Sequence, residues 1–435
     1  MPAVPETRRK RGVRAMEESI RDKLKHWLEH GMIFLKWVAF ALLMGLVLGA
    51  AGTLFHYCVD GANRYSGQYP YLIWFLPLGG LLIVFLYKIT KMERDQGTDL
   101  VIRSVRSTEP ISIKTAPLIF VSTVLTHLLG GSAGREGAAL QLGGSMAAQV
   151  GRWFRFDEKD ERIMVMCGMS AAFSALFGAP LTAAVFSLEV ISVGVMYYSA
   201  LVPCVLSAVV GCGVAVYFGV IPVRFHLTGI PEMGALPLGK VILLAALCAV
   251  LSVVFCLVMH LSGKAYGRLL KNRYLRILAG GLLVIGLTYL FQTRDYNGAG
   301  MEVIRRAIDG GEARPEAFAL KLALTAVTLG AGYRGGEIVP AFFVGATFGC
   351  VMGPLIGLDP SFAAGIGLIA LFCGVVNCPL TSLLLGVELF GAEGILYYAV
   401  AAAVSYMLSG YHGLYRGQKI LYSKTEPTFI NTSST

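Results

Sequence analysis

The sequence predicts an all-helical protein that crosses a lipid bilayer several times, and two observations support this prediction. The 435 residues have a mean hydropathy of +0.65, and 55% of them are hydrophobic while only 15% are charged. Long apolar segments also recur along the chain, and several approach the roughly 20 residues that a helix needs to cross the hydrocarbon core. Because lipid offers no hydrogen-bond partners to the backbone, apolar segments of this kind are expected to be helices.

The lengths of the apolar segments predict two kinds of membrane helix. Spanning helices are predicted for the segments 32–58, 71–89, 200–221 and 241–261. The segments 138–150 and 342–355 are too short to span and predict half-helices that begin inside the membrane. The charged residues 17–31 predict a short amphipathic helix on the cytoplasmic surface.

The positive charge of the chain, +10 in total, is concentrated beside the apolar segments. Basic residues cluster at 8–14, at 268–276 and at 416–424. Such clusters are typical of the cytoplasmic loops and ends of membrane proteins. We therefore expect both termini in the cytoplasm, and we interpret the charge as a signal of topology and not of nucleic-acid binding.

The sequence predicts no metal, no cofactor and no enzymatic activity. The nine cysteines mostly stand singly in apolar segments, so we expect them to pack as small buried residues. An intramembrane hydrolase would need a nucleophile, a base and a group that orients the base. His127 and Ser132 are near each other in sequence, but no third group accompanies them. We expect His127 and His260 to be satisfied core residues.

The two halves of the chain repeat the same landmarks. In each half a glycine-rich turn carries a glutamate, a Pro-Leu-Thr segment follows 44 or 42 residues later, and a second glutamate follows the proline by nine residues. The matched residues are Glu136, Pro180 and Glu189 in the first half and Glu337, Pro379 and Glu388 in the second. Apolar segments that are interrupted by glycine and proline at matching positions of two halves indicate a transporter-like repeat fold, with its site between broken helices. We expect Glu189 and Glu388 to play the same structural role in the two halves.

The repeat divides the chain into five segments. They are a basic cytoplasmic N-terminus with the amphipathic helix at 1–31, a first membrane repeat at 32–222, a linker at 223–236, a second membrane repeat at 237–423 and a cytoplasmic tail at 424–435.

The matched turns, 134–137 and 335–338, predict an anion site between helices that begin inside the membrane. A helix that begins there presents unpaired N–H groups and the positive end of its dipole. Glycine lets the backbone approach a ligand closely, and a third turn at 97–100 has the same character. Such N-termini bind an anion without a fixed cation and let it leave again.

Two glutamates at these turns are candidates for coupling protons to the anion. Glu136 is an anion when ionised, so it can occupy the site that it guards, and its protonation would free that site. We favour this gate over a carboxylate that only complements the helix dipole, because ionisable groups at membrane depth are functional by default. For Glu337, an ion pair with Arg334, three residues away, is a competing interpretation.

The turns and the repeat together carry a family resemblance. The motifs are Gly134-Arg135-Glu136-Gly137, Gly335-Gly336-Glu337-Ile338-Val339-Pro340 and Ala179-Pro180-Leu181-Thr182. Together they resemble the CLC family of anion channels and transporters, over residues 32–423 of this chain. The resemblance implies an inverted repeat of broken and tilted transmembrane helices, and a homodimer with one pore in each subunit. It also implies Glu136 as the gating glutamate.

The resemblance further implies which residues bind the anion. In the two turns these are Gly134, Arg135, Gly137, Ile338 and Val339. Near the C-terminus, Tyr415 resembles the central anion-coordinating tyrosine of the family.

Departures from the chloride branch of the family resemble its bacterial fluoride–proton antiporter branch. Thr98 stands where the chloride branch has an anion-binding serine, Glu337 lies in the second turn, and Val190 replaces an internal proton-transfer glutamate. The fluoride branch also places phenylalanines beside the ion, where their electropositive ring edges can face it. Phe343 fits one of these positions and Phe342 is its neighbour, although core packing explains Phe342 equally well.

The leading hypothesis is an antiporter in the plasma (inner) membrane of a prokaryote that exports fluoride in exchange for protons, using Glu136 and Glu337. The alternative is a chloride channel or chloride–proton exchanger on the same scaffold. In that case the hydroxyl of Thr98 would serve as the serine does.

Overall fold

The computed structural model describes residues 6–93, 95–107 and 109–434, with side chains described from residue 21 onward. The side chains of the basic cluster at 8–14 therefore lie outside the described residues. The first half contains α1 Glu6–Gln68, α2 Leu76–Ile89, α3 Thr98–Arg106, α4 Thr115–Leu128, α5 Glu136–Trp153, α6 Glu158–Phe177, α7 Pro180–Glu189 and α8 Leu201–Tyr217. Short 3₁₀ turns at Pro70–Phe75 and Tyr198–Ala200 precede α2 and α8.

The second half begins after a stretch without helix or strand at 218–234. It contains α9 Ala235–Leu269, α10 Arg273–Leu290, α11 Met301–Asp309, α12 Ala317–Ala331, α13 Ile338–Leu355, α14 Pro360–Val376, α15 Pro379–Phe390 and α16 Ile395–Leu408. Six helical stretches of the described chain are long and apolar enough to cross a membrane, which confirms a polytopic helical fold.

Two expectations about helix length are wrong. Residues 17–31 do not form a short separate helix, because α1 runs without a break over 63 residues from the charged N-terminal segment into the first apolar segment. The segments predicted as half-helices belong to α5 and α13, which have 18 residues each; α13 is long and apolar enough to span, so the expectation is wrong for 342–355. Polar or glycine-rich turns at their ends hid their true length from a count of apolar residues.

Small residues let the central helices pack at short distances in both halves. A Cβ at Gly143 of α5 would lie 2.2 Å from the carbonyl oxygen of Gly168 in α6. A Cβ at Gly349 of α13 would lie 2.1 Å from the carbonyl oxygen of Ala363 in α14. Close backbone approach of this kind is how helices associate where no hydrophobic effect drives them together. The pairs α5–α6 and α13–α14 are thus equivalent centres of the two repeats.

The glutamates after the two Pro-Leu-Thr segments bind each other's helix. The carboxylate of Glu388, in α15, accepts hydrogen bonds from the N–H groups of Leu181 and Thr182 at the start of α7, at 2.9 and 2.8 Å. The carboxylate of Glu189, in α7, accepts from the N–H groups of Leu380 and Thr381 at the start of α15, at 3.1 and 2.9 Å. Because the C-terminal end of each helix caps the other's N-terminus, α7 and α15 are antiparallel. The expected symmetric structural role is confirmed.

A small sheet, which the sequence did not predict, lies near the C-terminus. Strand β1 (Ser192–Val193) pairs in parallel with β2 (Lys419–Tyr422), which pairs antiparallel with β3 (Phe429–Ser433). The β2–β3 hairpin crosses the predicted boundary between residues 423 and 424. Gln418 joins the hairpin to the membrane helices, because its Nε2 donates to the carbonyl oxygens of Val190 and Val376.

Candidate anion-binding site

The two glycine-rich turns are in direct contact. The N–H of Gly134 donates to the carbonyl oxygen of Gly336, and the N–H of Gly336 donates to the carbonyl oxygen of Gly134, both at 2.7 Å. A Cβ at Gly336 would lie 2.6 Å from the backbone nitrogen of Gly137, so only glycine permits this approach. The bridge places the N-termini of α5 and α13 side by side, as expected for two helices whose positive ends share one anion.

Glu136 lies fully buried at the start of α5. Its Oε2 accepts a hydrogen bond from the backbone N–H of Arg135 at 3.1 Å, and its Oε1 lies 3.7 Å from Nε of the same arginine. No hydrogen-bond partner of Oε1 is found among the described residues. The carboxylate therefore lies against the N-terminus of its own helix, and its Oε1 faces the Arg135 guanidinium without a hydrogen bond.

His127 supports the turn that precedes Glu136. One ring nitrogen lies 3.2 Å from the carbonyl oxygen of Gly134, and the other lies 3.0 Å from Oδ1 of Asn63. Both partners are oxygens, so a neutral ring donates to one of them and only contacts the other. Nε2 of His260 likewise lies 3.1 Å from the carbonyl oxygen of Leu414, so both histidines have the structural partners that we expected.

Glu337 precedes the first residue of α13 and faces the N-terminus of α5. Its Oε2 lies 3.5 Å from the position that a Cβ would take at Gly137. In the described part of the chain no ion pair joins Glu337 to Arg334. The Arg334 guanidinium instead lies over the ring of Tyr87, 4.3 Å from its centroid. The charge of Arg334 nevertheless acts on the Glu337 carboxylate, so the two residues are electrostatic partners without a direct ion pair.

The third turn brings α3 to the same place. Gly97 has a positive φ of 63°, and the next residue, Thr98, begins α3. The Thr98 hydroxyl donates to the carbonyl oxygen of Gly137 at 3.3 Å and accepts from Nε2 of Gln141 at 3.0 Å. Its hydrogen is already used within the protein. The three N-termini of α3, α5 and α13 converge around Gly137.

An inner cavity of about 150 Å³ adjoins the turns at 97–100 and 335–338, and its lining includes Thr98, Gln141, Glu337 and Tyr415 but not Glu136. The Tyr415 hydroxyl is buried and has no hydrogen-bond partner among the described residues. The same holds for Oε1 of Gln141. Unsatisfied buried polar atoms around one cavity are typical of a site that takes a polar ligand.

The remaining predicted site residues are buried close to these turns. Gly134, Arg135, Gly137, Ile338 and Val339 are all buried. The ring of Phe342 packs against that of Phe372, with centroids 5.1 Å apart. The ring of Phe343 packs edge-on against Tyr296 and lies 5.3 Å from Nζ of the buried Lys321. Both phenylalanines are core residues, and a place beside the ion stays a prediction for them.

An outer cavity of about 420 Å³ adjoins the inner one, and the two share Asp99, Arg334 and Glu337 in their lining. Arg276 and Arg416, which belong to the basic clusters at 268–276 and 416–424, also line the outer cavity. A path therefore leads from the basic face of the protein to the turn that carries Glu337.

Sequence reasoning missed two polar residues of this region. Gln141 lies four residues after Gly137, on the same face of α5, and a polar side chain in that position of an apolar helix was a usable signal. The Asp99 carboxylate accepts a hydrogen bond from the N–H of Gly417 at 2.9 Å, which joins the third turn to the C-terminal segment. Nothing in the spacing of the sequence indicates that second contact, which spans more than 300 residues.

The fold and the site define a polytopic membrane protein with paired broken helices, and comparison with known families assigns it. The family described as voltage gated chloride channel matches residues 79–410, and the chain belongs to this CLC family. It is 34% identical over 396 residues to the chloride/fluoride channel protein of Pseudomonas syringae pv. tomato, covering 89% of this chain and 87% of that protein.

Solved structures resemble the fold closely. The crystal structure of a CLC-type fluoride/proton antiporter has a TM-score of 0.85 and 29% sequence identity, covering 88% of this chain and 98% of that one. A slow cyanobacterial Cl⁻/H⁺ antiporter has a TM-score of 0.75 at 21% identity, covering 86% and 94%, and supports the fold alone.

Proposed function

We propose that the protein is an anion–proton antiporter that exports fluoride in exchange for protons. The observation that carries this proposal is the position of Glu136, buried at the N-terminus of α5 beside the bridge between Gly134 and Gly336. The ionised carboxylate takes the place of an anion at the converging helix ends. The protonated carboxyl loses its attraction to these helix ends and leaves the site to the transported anion. The Glu136 side chain therefore either carries a proton or occupies the anion site.

Glu337 continues the proton route in this proposal. It lies next to Gly137, the residue after Glu136, and it lines both cavities. A proton that leaves Glu136 on this side therefore has an acceptor on the way to the outer cavity. Val190, at the position of the internal proton-transfer glutamate of chloride exchangers, is apolar and fully buried and offers no other route.

Fluoride is favoured over chloride by the similarity to the Pseudomonas protein and to the fluoride/proton antiporter structure. The Thr98 hydroxyl donates to the carbonyl oxygen of Gly137, so in this structure it is not free to serve as the anion-binding serine of the chloride branch does. Chloride transport is the second candidate, since the Pseudomonas relative is named for both ions.

Ion release from loaded proteoliposomes tests this function. Fluoride and chloride release are followed with ion-selective electrodes while a pH electrode records proton uptake. We expect fluoride to leave faster than chloride and to drive protons inward. Chloride leaving as fast as fluoride would contradict the fluoride assignment, and anion release without proton movement would contradict exchange.

Two substitutions test the proposed roles of Glu136 and Glu337. Glu136→Gln should abolish proton-coupled exchange, because glutamine can neither ionise nor carry the proton. Glu337→Gln should reduce proton movement while anion movement persists. Glu302→Gln is the matched control, because Glu302 is exposed in the first turn of α11. Unchanged proton movement in Glu136→Gln would exclude this residue as the gate.

The proposal includes a homodimer in the plasma membrane with both termini in the cytoplasm. Helices α7, α8, α15 and α16 pack together, and large apolar side chains on them are exposed, among them Leu181, Val202, Leu380 and Leu396. A second copy of the chain would cover such a surface. Chemical cross-linking in native membranes should give a dimer, and a persistent monomer would contradict this assembly.

A further inference from the structure

The segment that follows α16 carries Tyr415 to the inner cavity and then forms the β2–β3 hairpin. We call residues 410–434 the C-terminal strap. Tyr415 is 3% exposed, lines the inner cavity, and has a hydroxyl without a hydrogen-bond partner among the described residues. It lies outside the helices and strands, between the end of α16 at Leu408 and the start of β2 at Lys419. Contacts of the strap with its neighbours must therefore hold Tyr415 in place.

Gln418 closes the turn that carries Tyr415 and ties this turn to both repeats. Its backbone N–H donates to the carbonyl oxygen of Tyr415 at 3.0 Å. Its side chain is fully buried, and Nε2 donates to the carbonyl oxygens of Val190 and Val376 at 3.1 and 2.9 Å. Val190 directly follows α7 and Val376 ends α14, so both carbonyls belong to the C-terminal ends of helices, where carbonyl groups lack partners within the helix. Gln418 thus joins the first repeat to the second, three residues after Tyr415.

A chain of hydrogen bonds with a single direction sets the orientation of the Gln418 amide. The Lys424 ammonium can only donate, and it donates to Oδ1 of Asn377 and to the hydroxyl of Ser409. Asn377 then presents its Nδ2 to Oε1 of Gln418, at 3.1 Å. Gln418 in turn presents its Nε2 to the two helix carbonyls. Because each amide oxygen accepts and each amide nitrogen donates, neither amide can turn over without losing hydrogen bonds.

The backbone of the strap is anchored on both sides of Tyr415. On one side, the N–H of Leu414 donates to the carbonyl oxygen of Val375 at 2.8 Å. On the other side, the N–H of Gly417 donates to the carboxylate of Asp99 in α3 at 2.9 Å. A Cβ at Gly417 would lie 2.6 Å from the carbonyl oxygen of Asp99, so glycine is needed for this approach. The strap therefore contacts the third glycine-rich turn as well as α7 and α14.

We propose that Gln418, oriented by Asn377 and Lys424, is the positioning residue that holds the Tyr415 hydroxyl at the anion. A hydroxyl can donate one hydrogen bond to a small anion, and a site of this kind requires its groups within about 0.5 Å of the productive position. Loss of the Gln418 amide would detach the turn from the two helix ends and let the hydroxyl move. The inference rests on the proposed function in one respect, that Tyr415 contacts the transported anion.

A double-mutant cycle on anion binding tests the proposal. Binding of sodium fluoride and of sodium chloride to the purified protein is measured by isothermal titration calorimetry, which does not depend on proton exchange. We expect Tyr415→Phe to raise the dissociation constant about tenfold, the effect of one hydrogen bond to an ion. Gln418→Met keeps the length of the side chain, removes the amide, and should raise the dissociation constant by a similar factor. Because Gln418 acts through the Tyr415 hydroxyl, the double variant should also show a rise of about tenfold, whereas independent effects would multiply to about 100-fold.

Three results would overturn the proposal. They are a rise near the product of the two single effects in the double variant, wild-type affinity in Tyr415→Phe, and wild-type affinity in a Gln418→Met protein that size-exclusion chromatography and the melting temperature show to be folded. Gln149→Met is the matched control, because it makes the same exchange near the C-terminal end of α5, where the Gln149 amide oxygen accepts from Arg152 at 3.2 Å. It should leave the dissociation constant unchanged, and a shift equal to that of Gln418→Met would also count against the proposal.

The half-buried end of the hydrogen-bond chain provides the test if Gln418→Met does not fold. Lys424→Met removes the ammonium that orients Asn377 and should raise the dissociation constant about threefold. Lys424→Arg keeps a cation that can only donate and should stay near the wild-type value. Equal affinities in Lys424→Met and the wild type would overturn the proposal.

The strap and the proposed function can fail separately. A wild-type protein that binds chloride and not fluoride contradicts the fluoride assignment, and the same cycle measured with sodium chloride then decides the role of Gln418. Anion release without proton movement contradicts exchange, and the calorimetric cycle decides the role of Gln418 in that case as well.

Discussion

The contact between the two turns depends on the absence of a side chain at Gly336. A Cβ there would lie 2.6 Å from the nitrogen of Gly137 and 3.3 Å from the nitrogen of Glu136. Both atoms are backbone at the start of α5, so no flexible side chain can move away. To reach an ordinary contact of about 3.5 Å, the two turns must separate by about 1 Å.

We expect Gly336→Ala to slow fluoride release about 100-fold, because a displacement of about 1 Å in a preorganised site has effects of that order. The pair of 2.7 Å hydrogen bonds between Gly134 and Gly336 would stretch with it. The initial rate of release from loaded proteoliposomes measures the effect at equal amounts of reconstituted protein.

Gly286→Ala is the matched control, because a Cβ at Gly286 in α10 meets nothing within 4 Å. Size-exclusion chromatography and the melting temperature in detergent show whether both variants fold. A folded Gly336→Ala protein that releases fluoride as fast as Gly286→Ala would refute the argument that the spacing of the two turns determines transport.

Two further predictions concern stability. Glu189→Gln should lower the melting temperature more than Glu388→Gln, because Glu189 is buried and also accepts a hydrogen bond from the Thr381 hydroxyl at 2.6 Å, whereas Glu388 is half-buried. The expected loss of folding free energy is about 2–3 kcal/mol for Glu189→Gln. Equal shifts in melting temperature would contradict the difference in burial. Burial lowers the pKa of the Lys424 ammonium from 10.5 to about 8, so the unfolded chain binds the proton more tightly. Stability should therefore rise between pH 8 and 10.5, and Lys424→Met should show a smaller rise in melting temperature over that range.

The sequence was sufficient to predict those features of the protein whose physical signal is local. Apolar segments of membrane length need no distant partner to be recognised, and they gave the helical, polytopic fold. The paired turns around Glu136 and Glu337 were visible because glycine and charge are expensive in lipid, so their presence needs a reason. The spacing of Glu189 and Glu388 from the preceding prolines likewise predicted equal roles.

The sequence was not sufficient where residues far apart in the chain meet. Arg334 lies three residues from Glu337, and proximity in sequence made an ion pair a competing interpretation. The tertiary structure holds the Arg334 guanidinium over the ring of Tyr87, from α2, without a direct ion pair. The pairing of Thr98 with Gln141 and of β1 with the C-terminal hairpin depends on the same kind of distant contact.

For this protein, composition and spacing alone predicted that helices cross a membrane and that the chain contains a repeat. They also singled out the glycine-rich turns as a candidate site. Each of these predictions follows from the cost of placing particular residues in lipid. Only the tertiary structure decided that Gly134 and Gly336 are hydrogen-bonded to each other and that the N-termini of α3, α5 and α13 converge around Gly137. The direction of a helix end and the distance between two turns are set by packing across some 200 residues, and no local pattern records them.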